Sequence, residues 1–452
     1  MSNKNKDYDH FVVAPSAVKS KYPILAQLKF SPNLMKVLIK NALIVCPSSP
    51  FNGKKIDILI VDGKFQALQE NITEEADTII KEENIHVSLG WADLFANFAE
   101  PGYEYKETLE TGSKAAAAGG FTKVAIIPNT NPVIDNKAQI EFISKKDKVH
   151  GVDIFPIGAI TKSAAGKELS EMYDMRNSGA IAFSDGTYPV QSSGMLVKAL
   201  QYVKAFNGLI IQLPEDKTIS NKGLINEGIV STQLGLAGNP AIAEEIMVAR
   251  DLELAQYTDS RLHITGISSA RSLKLIEEAK NKGIKITCSV TPYHLYFEDN
   301  DLAAYDTNLK VNPPIRTIAD RAALNAGVKN GVIDFIASHH APHEWDSKVT
   351  EFEYSKNGMI GLESAFGVAL TCGITAEHFV KMQTDNIQKI LGFEENKIEI
   401  GAIANITLFD PTSSKTFTEN QIRSKSKNTP FIGKQLKGHV IGIINNDKLF
   451  LN

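Results

Sequence analysis

Three histidines that lie close together, His339, His340 and His343, are the densest group of potential metal ligands in the sequence. Imidazole is a preferred zinc donor, so these side chains could form a metal site with Asp185. A zinc-bound water would then be a nucleophile at neutral pH, which is the chemistry of metal-dependent hydrolysis. The alternative is that His340 and His343 are buried framework residues and that His339 is a neutral filler.

A scaffold for such a site is indicated by the alternation of apolar runs and amphipathic stretches through the middle of the chain. The amphipathic stretches include residues 105–118, 241–256, 270–282 and 319–329. Apolar strands covered by helices are typical of a parallel sheet, and eight strands favour closure into a barrel with its chemistry at the strand ends. We therefore predict the α/β class and a (β/α)8 barrel. The eight strand candidates are 85–89, 121–127, 152–160, 181–184, 209–213, 261–265, 284–290 and 335–338.

The two ends of the chain have a different pattern. Residues 37–45 and 55–68 alternate apolar and polar side chains, with Asp62 and Gly63 as a hairpin turn, and residues 398–410 and 440–450 are again strand-like. The prediction is a composite β-sandwich domain built from residues 35–85 and 395–452, with the barrel over 86–394. Residues 1–34 are predicted to be an N-terminal extension, interpreted as a loosely ordered or docked arm.

Composition and charge exclude several classes of protein. The net charge of −4 gives no basic face for nucleic acid, and no apolar run is long enough to cross a membrane. The N-terminus lacks the apolar core of a secretory signal, and three scattered cysteines form no disulfide framework. We expect a cytoplasmic protein with no nucleic-acid or membrane partner.

Several motifs occur in an order that resembles the dihydroorotases among the cyclic amidohydrolases. Asp93 followed by Glu100-Pro101-Gly102 resembles the first barrel strand of that family, D-x-H-x-H-x-R-E-P-G. The further blocks are Pro128-Asn129-Thr130, Asn312-Pro313-Pro314-Ile315-Arg316, His340-Ala341-Pro342-His343 and Ser424–Phe431. The resemblance runs from about Met35 to the end. The last block has no local chemistry and is interpreted as a solvated loop.

The resemblance implies a zinc-dependent hydrolase, but nearly all of the implied ligand positions hold other residues. The first-strand histidines are Phe95 and Asn97, the fifth-strand histidine is Leu213, and the sixth-strand ligand is Gly266, although the non-ligand His263 persists. The fourth strand keeps Asp185 beside Gly186, and which of the two matches the bridging ligand stays open. At the eighth strand His339 replaces the aspartate that serves as metal ligand and general base. No metal cofactor is expected here.

The implied substrate contacts are better preserved. By resemblance, Asn129 would contact a substrate carboxylate, Asn312 the pyrimidine ring, and His343 the substrate as well. Against these, Ala99 stands where the family has an arginine that holds the carboxylate. Asn129 and Asn312 could also be present for loop geometry alone, because Asn and Pro stabilise turns.

Three functions remain open on the sequence. The first is a catalytically inactive dihydroorotase-like protein of pyrimidine biosynthesis, with a structural role beside aspartate carbamoyltransferase as the resemblance implies. The second is an active dihydroorotase or other cyclic-amide hydrolase whose zinc site is rebuilt near His339. The third is a non-catalytic protein that binds a pyrimidine or small acid. Family members are often dimers, so a homodimer is an additional expectation.

Overall fold

The computed structural model describes residues 35–145, 151–393 and 396–452. The predicted extension over 1–34, and the predicted domain boundary between residues 394 and 395, lie outside these ranges.

The strands are numbered in chain order. They are β1 (Lys36–Ile44), β2 (Lys55–Val61), β3 (Lys64–Gln69), β4 (Thr78–Ile80), β5 (His86–Leu89), β6 (Trp91–Ala96), β7 (Phe121–Ile126), β8 (Asp153–Gly158), β9 (Ala182–Phe183), β10 (Leu209–Gln212), β11 (Ile225–Asn226), β12 (Gly238–Asn239), β13 (Arg261–Ile264), β14 (Ile286–Val290), β15 (Phe335–Ile336), β16 (Asn405–Thr416), β17 (Gln435–Asn445) and β18 (Lys448–Leu451).

The α-helices are numbered in the same way. They are α1 (Leu109–Ala118), α2 (Lys137–Ser144), α3 (Met172–Asn177), α4 (Ser193–Lys204), α5 (Lys217–Ser220), α6 (Ile229–Leu234), α7 (Ile242–Thr258), α8 (Ala270–Asn281), α9 (Pro292–Tyr296), α10 (Ile318–Lys329), α11 (Ala365–Thr371), α12 (Ala376–Lys381) and α13 (Ile387–Leu391). Among the helices of the described ranges, none is both long and apolar enough to cross a lipid bilayer.

The middle of the chain forms the predicted barrel. Eight strands are hydrogen bonded in the order β6, β7, β8, β9, β10, β13, β14 and β15, and every neighbouring pair is parallel. Helices α1, α4, α7, α8 and α10 lie between these strands in sequence. The α/β class and the (β/α)8 arrangement are confirmed.

The first barrel strand is not the one predicted. The apolar run at 85–89 gives β5, which pairs with β1 and β16 outside the barrel, whereas Trp91–Ala96 is the first barrel strand. Both runs are buried, so apolarity alone does not distinguish them. Gly90 separates them, and a β-carbon there would lie 1.9 Å from Asn405 Oδ1. The close approach of these chains requires glycine at that point.

Side chains and loops hold the first strand to the last. Asp93 on β6 accepts hydrogen bonds from the amide and the hydroxyl of Ser338, both at 2.7 Å. The amide of Asn97 donates to the carbonyl of His340 at 2.8 Å. Burial raises the pKa of Asp93 to about 7, although the two Ser338 bonds oppose that shift. The residues after β6 and β15 are thereby held next to each other.

The two ends of the chain meet in a second sheet, which is the β-rich domain predicted from both termini. Its strands run in the order β18, β17, β16, β5, β1, β2 and β3, with β4 also paired to β1. The predicted hairpin turn joins β2 to β3, and Asp62 and Gly63 have φ values of 50° and 69°. Positive φ at both central residues is typical of the type I′ turn that matches strand twist.

An aromatic cluster joins the base of the barrel to this sheet. The Trp91 ring at the start of β6 lies 5.0 Å from both Phe366 and Phe379, and 5.4 Å from Phe409 on β16. The fully buried ring of Trp91 also donates from Nε1 to Ser88. This cluster covers the end of the barrel where the strands begin. The end where the strands finish is left for the loops that could form a site.

Candidate active site

The loops after the barrel strands surround a cavity of about 890 Å³. Most of the residues that the sequence analysis singled out lie on its wall. The predicted residues that line it are Phe95, Asn97, Asn129, Leu213, Asn312, His339 and His343. Asp185 and Gly266 do not line the cavity. The carbonyl of Asp185 accepts a hydrogen bond from Asn129, and Gly266 lies against His339 and Leu213.

Phe95 and His339 lie against each other at the centre of this arrangement. Their ring centroids are 4.6 Å apart and the rings are inclined by 32°. Both residues have left-handed backbones, with φ values of 79° and 44°. Such conformations are costly for non-glycine residues and persist only where the surroundings impose them.

The imidazole of His339 is neutral and forms a hydrogen bond within the protein. Its Nε2 lies 2.7 Å from Thr265 Oγ1, and burial lowers the pKa of His339 to about 3. Thr265 Oγ1 in turn lies 2.9 Å from Ser289 Oγ, which lies 3.0 Å from Nε2 of the buried His263. A chain of hydroxyls and imidazoles therefore runs from the cavity into the barrel interior.

The space beside Gly266 is occupied by two other predicted residues. A β-carbon at Gly266 would lie 2.6 Å from Cε1 of His339 and 3.0 Å from Cδ1 of Leu213. The backbone at Gly266 also has a φ of +67°, which side chains rarely adopt. A side chain at this position has no room unless His339 and Leu213 change.

The side-chain oxygens of Asn97 and Asp185, which could otherwise bind a metal, accept hydrogen bonds from other protein groups. Asn97 Oδ1 accepts a hydrogen bond from the amide of Ala99 at 2.8 Å and closes a local turn. Both carboxylate oxygens of Asp185 accept from Thr161, one from its amide at 2.9 Å and one from its hydroxyl at 2.5 Å. Burial raises the pKa of Asp185 to about 6 against these bonds.

This donor set does not fit a zinc ion. Within the described ranges no group of three or more His, Cys, Asp or Glu side chains is arranged to hold a metal. Phenylalanine, leucine and glycine supply no donor, and the amide of Asn97 and the carboxylate of Asp185 are occupied elsewhere. Zinc requires about four convergent N, O or S ligands.

The side chains of the two asparagines predicted as substrate contacts, Asn129 and Asn312, both form hydrogen bonds with other residues of the chain. Asn129 Nδ2 donates to the carbonyl of Asp185 at 3.0 Å, and its Oδ1 accepts from the amide of Thr187 at 2.9 Å. Its side chain lies so close to Gly186 that a β-carbon there would be 1.7 Å from Oδ1. Asn312 Nδ2 donates to Glu215 at 3.1 Å. Loop geometry thus accounts for the polar contacts of Asn129.

His343 lies at the rim of the cavity. Its Nε2 donates to the carbonyl of Asn357 at 2.9 Å, while Nδ1 is buried without a hydrogen-bond partner in the described structure. Burial lowers the pKa of His343 to about 4. The three histidines of the cluster therefore do not converge on one point, and His340 turns away towards Glu107.

Glu107 is a buried residue of this region that the sequence analysis missed. Its carboxylate accepts hydrogen bonds from the hydroxyls of Ser424 and Thr111 and from the amide of Lys425. His340 Nδ1 accepts from the amide of Gly361, so its Nε2 carries the proton and faces Glu107 at 3.4 Å. Burial raises the pKa of Glu107, but these hydrogen bonds outweigh it and leave the pKa below the ordinary value.

Ser424 belongs to a buried segment, and the solvated-loop interpretation of residues 424–431 was wrong. Asn428 accepts from the amide of His343 at 3.0 Å and donates to the carbonyl of Ala341 at 3.0 Å. Ser424, Ser426 and Asn428 are buried, while Lys425 and Lys427 between them are exposed. This strict alternation in Ser-Lys-Ser-Lys-Asn was the sequence signal for a segment with one face against the barrel.

Comparison of the sequence with known proteins gives a consistent result. Residues 86–272 match a family model described as Dihydro-orotase-like. The chain is 43% identical over 409 residues to a dihydroorotase of Pelotomaculum thermopropionicum, covering 89% of this chain and 96% of that protein. It is 41% identical over 410 residues to a dihydroorotase of Ruminiclostridium cellulolyticum, with the same coverage of 89% and 96%.

Solved structures show the same fold at lower sequence identity. The L-hydantoinase (dihydropyrimidinase) of Arthrobacter aurescens superposes with a TM-score of 0.78 at 24% identity, over 92% of this chain and 96% of that chain. A dihydropyrimidinase of Brevibacillus agri superposes with a TM-score of 0.76 at 21% identity, over 92% and 95%.

Proposed function

This chain belongs to the dihydroorotase family, and we propose that it is a member that has lost the zinc-dependent hydrolysis of a cyclic amide while keeping the barrel. Its place in pyrimidine biosynthesis follows from the family. Loss of catalysis is the step that we add, and it rests on the chemistry of the cavity wall.

The observation that carries this proposal is the filling of the position beside Gly266. The resemblance implies a histidine ligand there, yet His339 and Leu213 already take the volume that its β-carbon would need. Phe95, at another implied ligand position, lies against the same His339 ring. Apolar contacts thus replace donors at the point where the ligands would converge.

The proton chemistry supports the same conclusion. Hydrolysis of a cyclic amide requires a base that takes a proton from the attacking water and returns it to the leaving nitrogen. In the family that base is an aspartate which also binds the metal, and the residue here is His339. Its low pKa and its bond to Thr265 favour a fixed, neutral imidazole. We infer that His339 fills space rather than transfers protons.

Metal analysis and a hydrolysis assay test the proposal together, with the Pelotomaculum dihydroorotase purified in parallel as the positive control. We expect far less than one zinc per chain in this protein. We also expect no ring opening of dihydroorotate above the uncatalysed rate, with or without added zinc or manganese. Stoichiometric zinc together with turnover proportional to protein concentration would instead support the alternative, an active cyclic-amide hydrolase with a metal site rebuilt around His339.

We further propose that the barrel acts through a protein partner, which the family resemblance suggests is aspartate carbamoyltransferase. Large apolar side chains exposed on the loop after β15 support a contact surface there, since Trp345, Val349 and Tyr354 are 71%, 57% and 72% exposed. Light scattering of the purified chain, alone and mixed with aspartate carbamoyltransferase, tests this role. We expect a larger species only in the mixture, and an unchanged homodimer in both samples would argue against it.

A further inference from the structure

A row of polar side chains lies between β13 and β14. Residues two apart on a strand point to the same face, so His263 shares a face with Thr265, and Thr287 shares one with Ser289. His263 lies opposite Thr287 in the strand register. Barrel interiors are usually filled by branched apolar side chains, and a buried polar network is favourable only when its members are bonded to each other.

The hydrogen-bonded chain of the candidate site continues along this row to the other end of the barrel. Nδ1 of His263 lies 2.9 Å from Oγ1 of Thr287. Thr287 lines a second cavity, of about 350 Å³, beside Leu209, Arg261 and Ile286 at or near the starts of β10, β13 and β14. Parallel strands start at the same end of a barrel, so this second cavity lies at the base. The chain therefore connects a cavity at the base with the cavity at the mouth.

We propose that these five side chains, His339, Thr265, Ser289, His263 and Thr287, form a relay that couples hydrogen bonding in the mouth cavity to hydrogen bonding in the base cavity. Each hydroxyl has one proton to donate, and each neutral imidazole carries one proton on one of its two nitrogens. A member that donates to one neighbour must therefore accept from the other. All five consequently donate in the same direction along the chain.

The chain has two such directions. In the first, Thr287 donates to Nδ1 of His263, and His339 accepts on Nε2 and carries its proton on Nδ1. In the second, His339 donates from Nε2, and Thr287 accepts from Nδ1 of His263. Reversal moves one proton from each member to the next, while water in one cavity gives a proton and water in the other takes one. Every residue keeps its charge, so His339 remains the neutral imidazole of the proposed function.

The two imidazoles are held so that only the position of their protons can change. His263 stacks on Phe335, with ring centroids 5.0 Å apart and an angle of 13° between the planes. His339 lies against Phe95. Burial lowers the pKa of His263 to about 3, as it does for His339, so neither ring carries two protons at neutral pH.

The coupling acts in both directions between the cavities. A group at the mouth that accepts a hydrogen bond from Nδ1 of His339 favours the first direction. Thr287 then donates inward and offers only its oxygen as an acceptor to the base cavity. By linkage, a group at the base that donates to Thr287 favours a proton on Nδ1 of His339 to the same extent.

Nitrogen-15 NMR of protein labelled at the histidine rings tests the relay, with signals assigned from single His→Gln variants. We expect the fraction of His339 that is protonated at Nδ1 to equal the fraction of His263 that is protonated at Nε2. His294 is the internal control, because it is buried outside the chain. Its Nε2 faces the carbonyl of Pro313 at 3.1 Å and its Nδ1 faces Oγ1 of Thr291 at 2.8 Å, so its proton should stay on Nε2.

Ser289→Ala breaks the chain in its middle. His263 should then carry its proton on Nδ1, since an N–H at Nε2 would have no acceptor. Thr265 should donate to Nε2 of His339, because its hydroxyl has lost the other acceptor, and His339 should carry its proton on Nδ1 as well. The equality of the wild-type protein is lost. Ser272→Ala is the matched control, since Ser272 is fully buried and its hydroxyl has no hydrogen-bond partner in the described structure.

Thr287→Val removes the hydroxyl at the base and keeps a branched side chain, so it tests the relay independently of Ser289→Ala. His263 then has an acceptor only beside Nε2, and the first direction is imposed on the whole chain. We expect His339, at the far end, to be protonated fully on Nδ1. Thr287→Ser keeps the hydroxyl and should give the wild-type fractions.

Unequal fractions in the wild-type protein, or an equality that survives Ser289→Ala, would overturn the inference. A Thr287→Val protein in which His339 carries its proton on Nε2 would overturn it as well. A polar row with only a structural role would lower the thermal midpoint in these variants but would leave the two rings uncorrelated. The ring signals report neither metal content nor turnover, so failure of the relay is distinguishable from failure of the proposed loss of catalysis.

Discussion

Replacing Gly266 with histidine, the residue that the family resemblance implies, is expected to destabilise this protein by about 2–5 kcal/mol. Overpacking a filled site costs roughly 1–3 kcal/mol, and a left-handed backbone adds about 1–2 kcal/mol for a residue with a β-carbon. The β-carbon would meet His339 at 2.6 Å and Leu213 at 3.0 Å. Thermal and urea unfolding of wild-type and variant protein measure the change.

Gly283→His is the matched control for this substitution. Gly283 has a φ of +77°, close to that of Gly266, but nothing lies within 4 Å of its β-carbon position. It should show the backbone cost alone. Adding Leu213→Ala and His339→Ala to Gly266→His should recover part of the stability lost through crowding, because residues in contact give non-additive effects. If Gly266→His and Gly283→His cost the same, the position is not filled and the argument against a zinc ligand there loses its main support.

The fold could be predicted from the sequence because its strands are marked by apolar runs and its helices by amphipathic ones. Seven of the eight barrel strands were predicted at or near their observed positions, and the turn at Asp62 and Gly63 gave the β2–β3 hairpin. The first strand was misplaced, since residues 85–89 and Trp91–Ala96 are adjacent apolar runs. Only the packing around Gly90 separates the strand of the terminal sheet from the strand of the barrel.

The sequence also predicted which residues would meet at the barrel mouth, but not the directions of their side chains. Motif order brings Phe95, Leu213 and His339 to one cavity, because parallel strands end on the same side of the barrel. Whether Asp185 faces that cavity or Thr161 depends on the local backbone and on hydrogen bonds between distant segments. Such choices carry no periodicity that a single sequence could reveal.

Glu107 is the residue whose removal is expected to cost the most stability among those at the mouth. Glu107→Ala would leave buried donors from Ser424, Thr111, Lys425 and His340 without their acceptor. Each buried donor left without an acceptor costs about 1–3 kcal/mol, so the loss of several at once is expected to cost about 3–5 kcal/mol. We expect a marked fall in the thermal midpoint of unfolding, because this carboxylate joins the loop after β6 to the segment that contains Ser424.

Glu110→Ala is the control, since Glu110 lies only three residues further along, in the first turn of α1, and its side chain is 61% exposed in a pair with Lys114. Exposed ion pairs contribute roughly 0–1 kcal/mol, so this variant should unfold close to the wild-type protein. A second control uses pH. The pKa of Glu107 in the folded protein is below the ordinary value of 4.5, so its charge stabilises the fold fully above that pH and less as the pH falls through the folded value.

The difference in stability between wild-type protein and Glu107→Ala should therefore shrink in acid. A difference that stays constant as the pH falls from 7 to well below 4.5 would mean that the substitution acts through the cavity it leaves and not through the ionised carboxylate. A difference that shrinks would place the ionised carboxylate of Glu107 among the interactions that hold the barrel mouth together.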